Sequence, residues 1–264
     1  MVVGVLGRAG VGVAKRLPPG ARRAINTARG IETPHLVRSL DTRRPVVLAP
    51  HPDDELIGAG GVLAAHVAAG LDPAVIHLTS GERTAGLAKL PAAERKPRRE
   101  AEALDAAAVI GVAADRVEFL RLPDGGLDPD DDTQVAALTR AIVALEPDLI
   151  YAPWPLDAHR DHTAATALLA RVLSDHSPAP RVALYEVWNP LTPTHLVDIG
   201  DHIDTKLDAL DRYESALASV DYRHTARGLA AYRSAQGLSG RGYAEAFVVL
   251  SVDALGELVS SIDR

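Results

Sequence analysis

Short apolar runs punctuate the chain, and most are followed by a stretch with helical spacing. Val46–Ala49 is four apolar residues ending at Pro50; Glu55–Ala69 then carries apolar residues around a helix that Gly70 closes. The pattern repeats: strand Ala74–Leu78, a long loop from Thr79 to about Pro97, helix Arg98–Ile110 stopped by Gly111, and strand Val117–Leu120. Helix Val135–Leu145, strand Leu149–Ala152, helix Thr163–Leu173 and strand Arg181–Val187 continue it. The tail is less regular, with strand His195–Ile199, one helix from Ile203 to about Ala218, mixed helix and loop over 222–243, and a last strand Phe247–Val252. Strands separated by helices predict an α/β fold, a Rossmann-like, mostly parallel sheet with helices on both faces.

Two strand ends carry chemistry. His51, Asp53 and Asp54 follow the Val46 strand through a turn broken by Pro50 and Pro52. Asp157, His159, Asp161 and His162 follow the Leu149 strand through another proline-rich break. In an open parallel sheet ligands bind at the carboxyl ends of strands. A lone Asp-Asp pair at a helix start is explained by capping; two His/Asp clusters at two strand ends predict one shared site. Two histidines and a carboxylate, with one position left open, suit a catalytic zinc ion. Gly58, Gly60 and Gly61 lie inside the first helix rather than at its start, so they predict close helix–sheet packing and not a phosphate cradle.

Composition narrows the choices. The 264 residues carry a net charge of −7, which does not favour nucleic acid as a partner. The chain contains no cysteine, so a metal must be held by His, Asp or Glu. No apolar run approaches the roughly 20 residues that span a bilayer. Arg8, Lys15, Arg16, Arg22, Arg23 and Arg29 are the only charged side chains before Glu32. Residues 1–42 therefore read as a basic N-terminal arm, packed on the domain or touching a membrane surface or anionic partner, and 43–264 as one domain whose part from about 190 completes the pocket. The opening residues lack a basic n-region, so the expectation is a cytoplasmic protein without a cleaved signal. The acidic run Asp128–Asp132 lacks the spacing of a calcium loop and predicts a turn with a helix N-cap.

Ala49-Pro50-His51-Pro52-Asp53-Asp54-Glu55 together with His159-Arg160-Asp161-His162 resembles the PIG-L/LmbE-like family of zinc-dependent N-acetylglucosaminyl deacetylases. Thr79-Ser80-Gly81-Glu82, Arg99 with Glu102, Leu122-Pro123-Asp124-Gly125, Asp204-Thr205-Lys206-Leu207 and Ala244-Glu245-Ala246-Phe247 fit as well. The resemblance implies zinc, or another divalent ion such as Fe2+, on His51, Asp54 and His162. It implies Asp53 as general base toward an activated water, His159 at the oxyanion or leaving amine, and Asp161 holding His159 in its tautomer and raising its pKa. It implies Arg99 and Asp124 at the substrate, although Arg99 also fits a salt bridge to Glu102 one helical turn on. The implied reaction removes acetyl from an N-acetylglucosamine-type amino sugar or its conjugate. The alternatives are an amidase on a thiol conjugate and a binding module that has lost catalysis. The implied partner is a small molecule, with a homo-oligomer compatible with the family.

Overall fold

The computed structural model describes residues 33–262. The basic side chains of the expected arm, Arg8 to Arg29, lie outside the described residues. Eight strands form one sheet: β1 (His35–Val37), β2 (Pro45–Ala49), β3 (Ala74–Thr79), β4 (Val117–Leu122), β5 (Leu149–Pro153), β6 (Arg181–Tyr185), β7 (His195–Asp198) and β8 (Ala244–Leu250). Their spatial order is β1-β7-β8-β6-β5-β2-β3-β4. Strand β8 runs antiparallel to both of its neighbours and every other pairing is parallel. The fold is the expected α/β sheet with helices on both faces.

Alternation along the buried strands decides which helix covers which face. Val47 joins the core beneath α1 (Asp54–Ala68) and α2 (Ala92–Ile110), whereas Val46 and Leu48 join the core beneath α3 (Asp132–Leu145) and α4 (Arg160–Leu173). The tail adds α5 (Ile203–Leu210), the single turn α6 (Glu214–Leu217) and α7 (Tyr222–Gly237) to the first face, and α8 (Val252–Ile262) to the second. No helix among the described residues is long and apolar enough to cross a membrane.

Several boundaries differ from the sequence expectation. Helix α2 starts at Ala92, not Arg98, with Pro97 inside it. Proline lacks an N–H and reads as a stop; as the sixth residue of this helix it removes the bond to the carbonyl of Ala93, and the long helix continues through it. The predicted helix from Ile203 to Ala218 breaks after Leu210, and α6 resumes at Glu214. Helix α8 has no counterpart among the predicted elements; its amphipathic face packs Leu255 into the second core. Strand β1 falls within the span read as the arm, pairing with β7 in register His35↔His195. As expected for a capped acidic turn, the Asp131 carboxylate accepts from the N–H groups of Thr133 and Gln134.

The glycines of α1 are packing residues. A Cβ on Gly58 would sit 2.0 Å from the Tyr185 ring, and one on Gly61 would sit 2.7 Å from Ile199. The same close approach admits a buried pair: Lys206 Nζ donates to Ile57 O at 2.8 Å and to Glu245 Oε1 at 2.7 Å, and Glu245 accepts the N–H groups of Gly61 and Val62. The C-terminal elements are thereby tied to the helix that leads out of the first His/Asp cluster.

Candidate metal and hydrolytic site

The chain proceeds outward from β2 to β3 and β4 on one side and from β5 to β6 on the other. The strand order therefore reverses between β2 and β5, where the two clusters meet in a crevice at the carboxyl ends. The cavity there measures about 280 Å³ and is lined by His51, Asp53, Asp54, Asp124, His159 and His162, with Trp188 and Tyr222 at one wall. A larger cavity of about 520 Å³, lined by Arg44, Val143 and Arg171 among others, lies at the opposite end of the sheet, away from both clusters.

One carboxylate oxygen sits between the two clusters. Asp54 Oδ2 lies 3.1 Å from His51 Nδ1 and 3.1 Å from His162 Nε2, and it also accepts the His51 N–H at 3.0 Å. His51 Nε2 faces Asp161 Oδ2 at 3.2 Å and Asp124 Oδ1 at 3.6 Å. His162 Nδ1 lies 3.2 Å from Asp157 Oδ1. The sequence motifs thus converge on one spot, with Asp54 in contact with both His51 and His162 and the two imidazole centroids 5.6 Å apart.

The donor chemistry fits a divalent cation. Among the described residues, His51, His159 and His162 offer nitrogens within 4.8 Å of one another, and His51, Asp124 and Asp161 form a second such group. Nitrogen and carboxylate oxygen without thiolate suit zinc, iron and similar ions. The histidines without a cation are strongly proton-binding. Burial pulls His51 down, but Asp161 and Asp54 outweigh it and raise its pKa to about 10. His162 follows the same balance, with Asp54 and Asp157 lifting it to about 9. Against the cost of burial, His162 and His51 hold the Asp54 carboxyl well below the usual range.

Asp53 faces a different environment from its neighbour. Its backbone takes φ 114°, a strained value for a residue other than glycine, at the N-cap of α1. That turn directs the two adjacent side chains apart. Burial raises the Asp53 carboxyl to about 6, with Arg99 the main opposing influence. Arg99 Nη2 donates to Asp53 Oδ2 at 3.0 Å and to the Pro52 carbonyl, and Nη1 donates to Glu102 Oε2 at 3.1 Å and Ser215 Oγ at 3.2 Å. Gly81 makes room for this arginine: its φ is +64°, and a Cβ there would lie 3.0 Å from Pro52 and 3.2 Å from Arg99 Nε.

Two of the expected residues make contacts that the sequence does not show. The sequence puts Arg99 at the substrate; the side chain lines the cavity while exposing almost none of its surface, and its terminal donors are engaged by protein groups. Local spacing reveals the Glu102 partner one turn away and cannot reveal Pro52 and Asp53, which arrive from another element. The sequence puts Asp161 behind His159, lifting its pKa. The Asp161 carboxylate instead faces His51 and accepts the Gly125 N–H at 2.7 Å, while its backbone N–H donates to His159 Nδ1 at 3.2 Å. His159 is the N-cap of α4, so its ring turns back onto the free N–H of the first turn. The neutral ring in that contact carries its proton on Nε2. Burial, then His51 and His162, lower the His159 pKa, against a smaller upward pull from Asp54 and Asp161. Asp124 does reach the cleft, anchored where its Oδ2 accepts the Arg83 N–H at 2.7 Å.

Other contributors have no role assigned from the sequence, although Glu55 stands in the first motif and the part from about 190 is expected at the pocket. Glu55 is buried beneath Asp53: Oε2 accepts the Asp53 N–H at 2.9 Å and Oε1 accepts the Tyr213 hydroxyl. Burial pushes its carboxyl up to about 8 despite the Tyr213 hydrogen bond. Ala216, Ser219, Val220 and Tyr222, all from the C-terminal part, also line the cavity.

The family model described as GlcNAc-PI de-N-acetylase, PIG-L, matches residues 46–173, the span that contains both clusters. A solved conserved protein of Thermus thermophilus is 32% identical, with 77% of this chain and 93% of that one covered at a TM-score of 0.67. The chain belongs to the PIG-L family. A diacetylchitobiose deacetylase of Thermococcus kodakarensis is 26% identical over 197 residues, 66% of this chain and 70% of the relative. The same fold also appears in a 4-carboxy-2-hydroxymuconate hydratase of Pseudomonas putida, 23% identical with 79% of this chain and 96% of that one covered and a TM-score of 0.67. At that identity the likeness shows the fold alone.

Proposed function

We propose that this PIG-L protein is a divalent-metal-dependent hydrolase that removes the acetyl group from an N-acetylglucosamine-type amino sugar or its conjugate. The observation that carries the reading is the convergence of His51, Asp54 and His162 on one spot beside a separately held Asp53. His51, Asp54 and His162 would hold the cation. Bound there, zinc or a similar ion supplies Lewis acidity toward an amide carbonyl and acidifies a water.

The remaining work falls to the chain. Asp53, with its carboxyl raised to about 6, is ionised at neutral pH yet basic enough to take the proton of the attacking water. Arg99 fixes its orientation. His159, donating from Nε2, stabilises the oxygen that becomes negative as the carbonyl is attacked. Protonated Asp53 then delivers its proton to the departing nitrogen, which leaves as the amine. Asp124, at the cleft edge, accepts hydroxyl groups of the sugar. The family description and the named T. kodakarensis relative support the acetamido-sugar class.

The test is a panel of N-acetylglucosamine conjugates assayed for free amine and acetate, with metal analysis of the same sample. Stoichiometric release of both supports the reading. Metal-loaded protein that releases neither from any member of the panel refutes it.

A further inference from the structure

The cleft has a polar floor and one aromatic wall that the chemistry above does not use. Trp188, in the loop after β6, lines the cavity and leaves 49% of its surface in water. Exposed tryptophan gives up much of the gain from burying so large an apolar side chain. This one is also firmly mounted. Its backbone N–H donates to Asp157 Oδ2 at 2.8 Å, and the Asn189 backbone N–H donates to the same oxygen at 3.2 Å. Asn189 Nδ2 donates to Leu156 O at 2.9 Å, which joins the two loops a second time. The other oxygen of Asp157 accepts the His159 N–H at 3.1 Å and lies 3.2 Å from His162 Nδ1. One buried carboxylate therefore holds the backbone of the indole and the two histidines of the floor. Tyr222 meets the Trp188 ring edge-on, with centroids 6.0 Å apart and planes at 73°. Val220 and Ala216 continue the wall without donors or acceptors on their side chains.

A rigid aromatic side chain offers a large contact area at little cost in side-chain entropy. Beside a polar floor, it suits a ligand with an apolar face and a polar group at its edge. A pyranose ring has that form: C–H groups on its face, hydroxyl and acetamido groups around its rim. We propose that Trp188 is the specificity-determining platform of the cleft, taking the face of a pyranose ring whose acetamido group points toward His51 and Asp53. This rests on the deacetylase reading above, because it names the ring that carries the amide.

The test compares Trp188→Ala and Trp188→Phe with wild type on N,N′-diacetylchitobiose and on N-methylacetamide, which has an amide and no ring. Trp188→Ala should raise KM for the sugar about tenfold with kcat nearly unchanged, as expected for the loss of one aromatic contact. Trp188→Phe should recover most of that loss, and any turnover of N-methylacetamide should be unaffected by either change. Binding is read separately in Trp154→Phe, which leaves Trp188 as the sole tryptophan of the chain. Its fluorescence should respond saturably to N,N′-diacetylchitobiose and not to N-methylacetamide. An unresponsive Trp188, or an unchanged KM in Trp188→Ala, overturns the platform. If wild type cleaves no acetylated sugar, the deacetylase reading fails, and the fluorescence titration still decides whether the ring docks on Trp188.

Discussion

Arg99 donates to Asp53 at 3.0 Å across 46 positions of sequence, and this contact separates the two adjacent aspartates into different electrostatic environments. Asp54 faces two histidines, whereas Asp53 faces a buried guanidinium that Glu102 and Ser215 hold from behind. Arginine suits this position because its planar fork serves several acceptors at once.

Arg99→Gln should therefore damage stability and catalysis together. Breaking a buried pair leaves an uncompensated carboxylate and costs about 3–5 kcal/mol. Chemical denaturation reads that loss. In the fraction that folds, Asp53 loses the cation that opposes its burial, so its pKa rises above about 6. The acid limb of kcat/KM should move to higher pH, because the base must be ionised to act. An unmoved limb would show that Arg99 does not act on Asp53.

Glu55 makes stability depend on pH. Its folded pKa of about 8 lies above the ordinary 4.5, so the folded protein retains a proton that the unfolded chain releases. The stabilising contribution is complete below the ordinary value and is lost as pH rises through the folded one. The melting temperature should fall between about pH 5 and pH 9, and Glu55→Gln, which cannot ionise, should flatten that fall. Parallel profiles for the two proteins would contradict the assignment.

Metal uptake should release protons. Without a cation His51 and His162 titrate near 10 and 9, and both must be deprotonated to coordinate. Affinity for Zn2+ should therefore rise with pH across the neutral range. Isothermal titration at about pH 7 in buffers of different ionisation enthalpy should count about two protons released per ion bound. No proton release would place the ion on other ligands.

The sheet was legible because its strands are continuous apolar runs and its helices end at glycines such as Gly70 and Gly111. The shared site was legible because the two His/Asp clusters each follow a strand. Roles set by tertiary contact were not. Arg99 shows only Glu102 in its local spacing, and its link to Asp53 depends on how α2 crosses the β2 turn. Asp161 stands next to the histidine cluster in sequence, but the first turn of α4 directs it to His51. Glu55 with Tyr213, and Asp157 with Trp188, join residues from distant segments, and no local pattern marks such pairs. Helix α8 escaped because its apolar face follows directly on the β8 run, which reads as a longer strand.

The division of labour between Asp53 and Asp54 is the centre of the mechanism, and Asp53→Asn tests it most directly. Metal content and kcat are measured on the same purified sample. The variant should bind metal as wild type does, since His51, Asp54 and His162 are untouched. It should lose roughly 10²-fold or more in kcat, since an amide cannot accept the proton of water. A metal-free variant would make Asp53 a ligand, and a fully loaded variant with wild-type kcat would show that Asp53 is not the base.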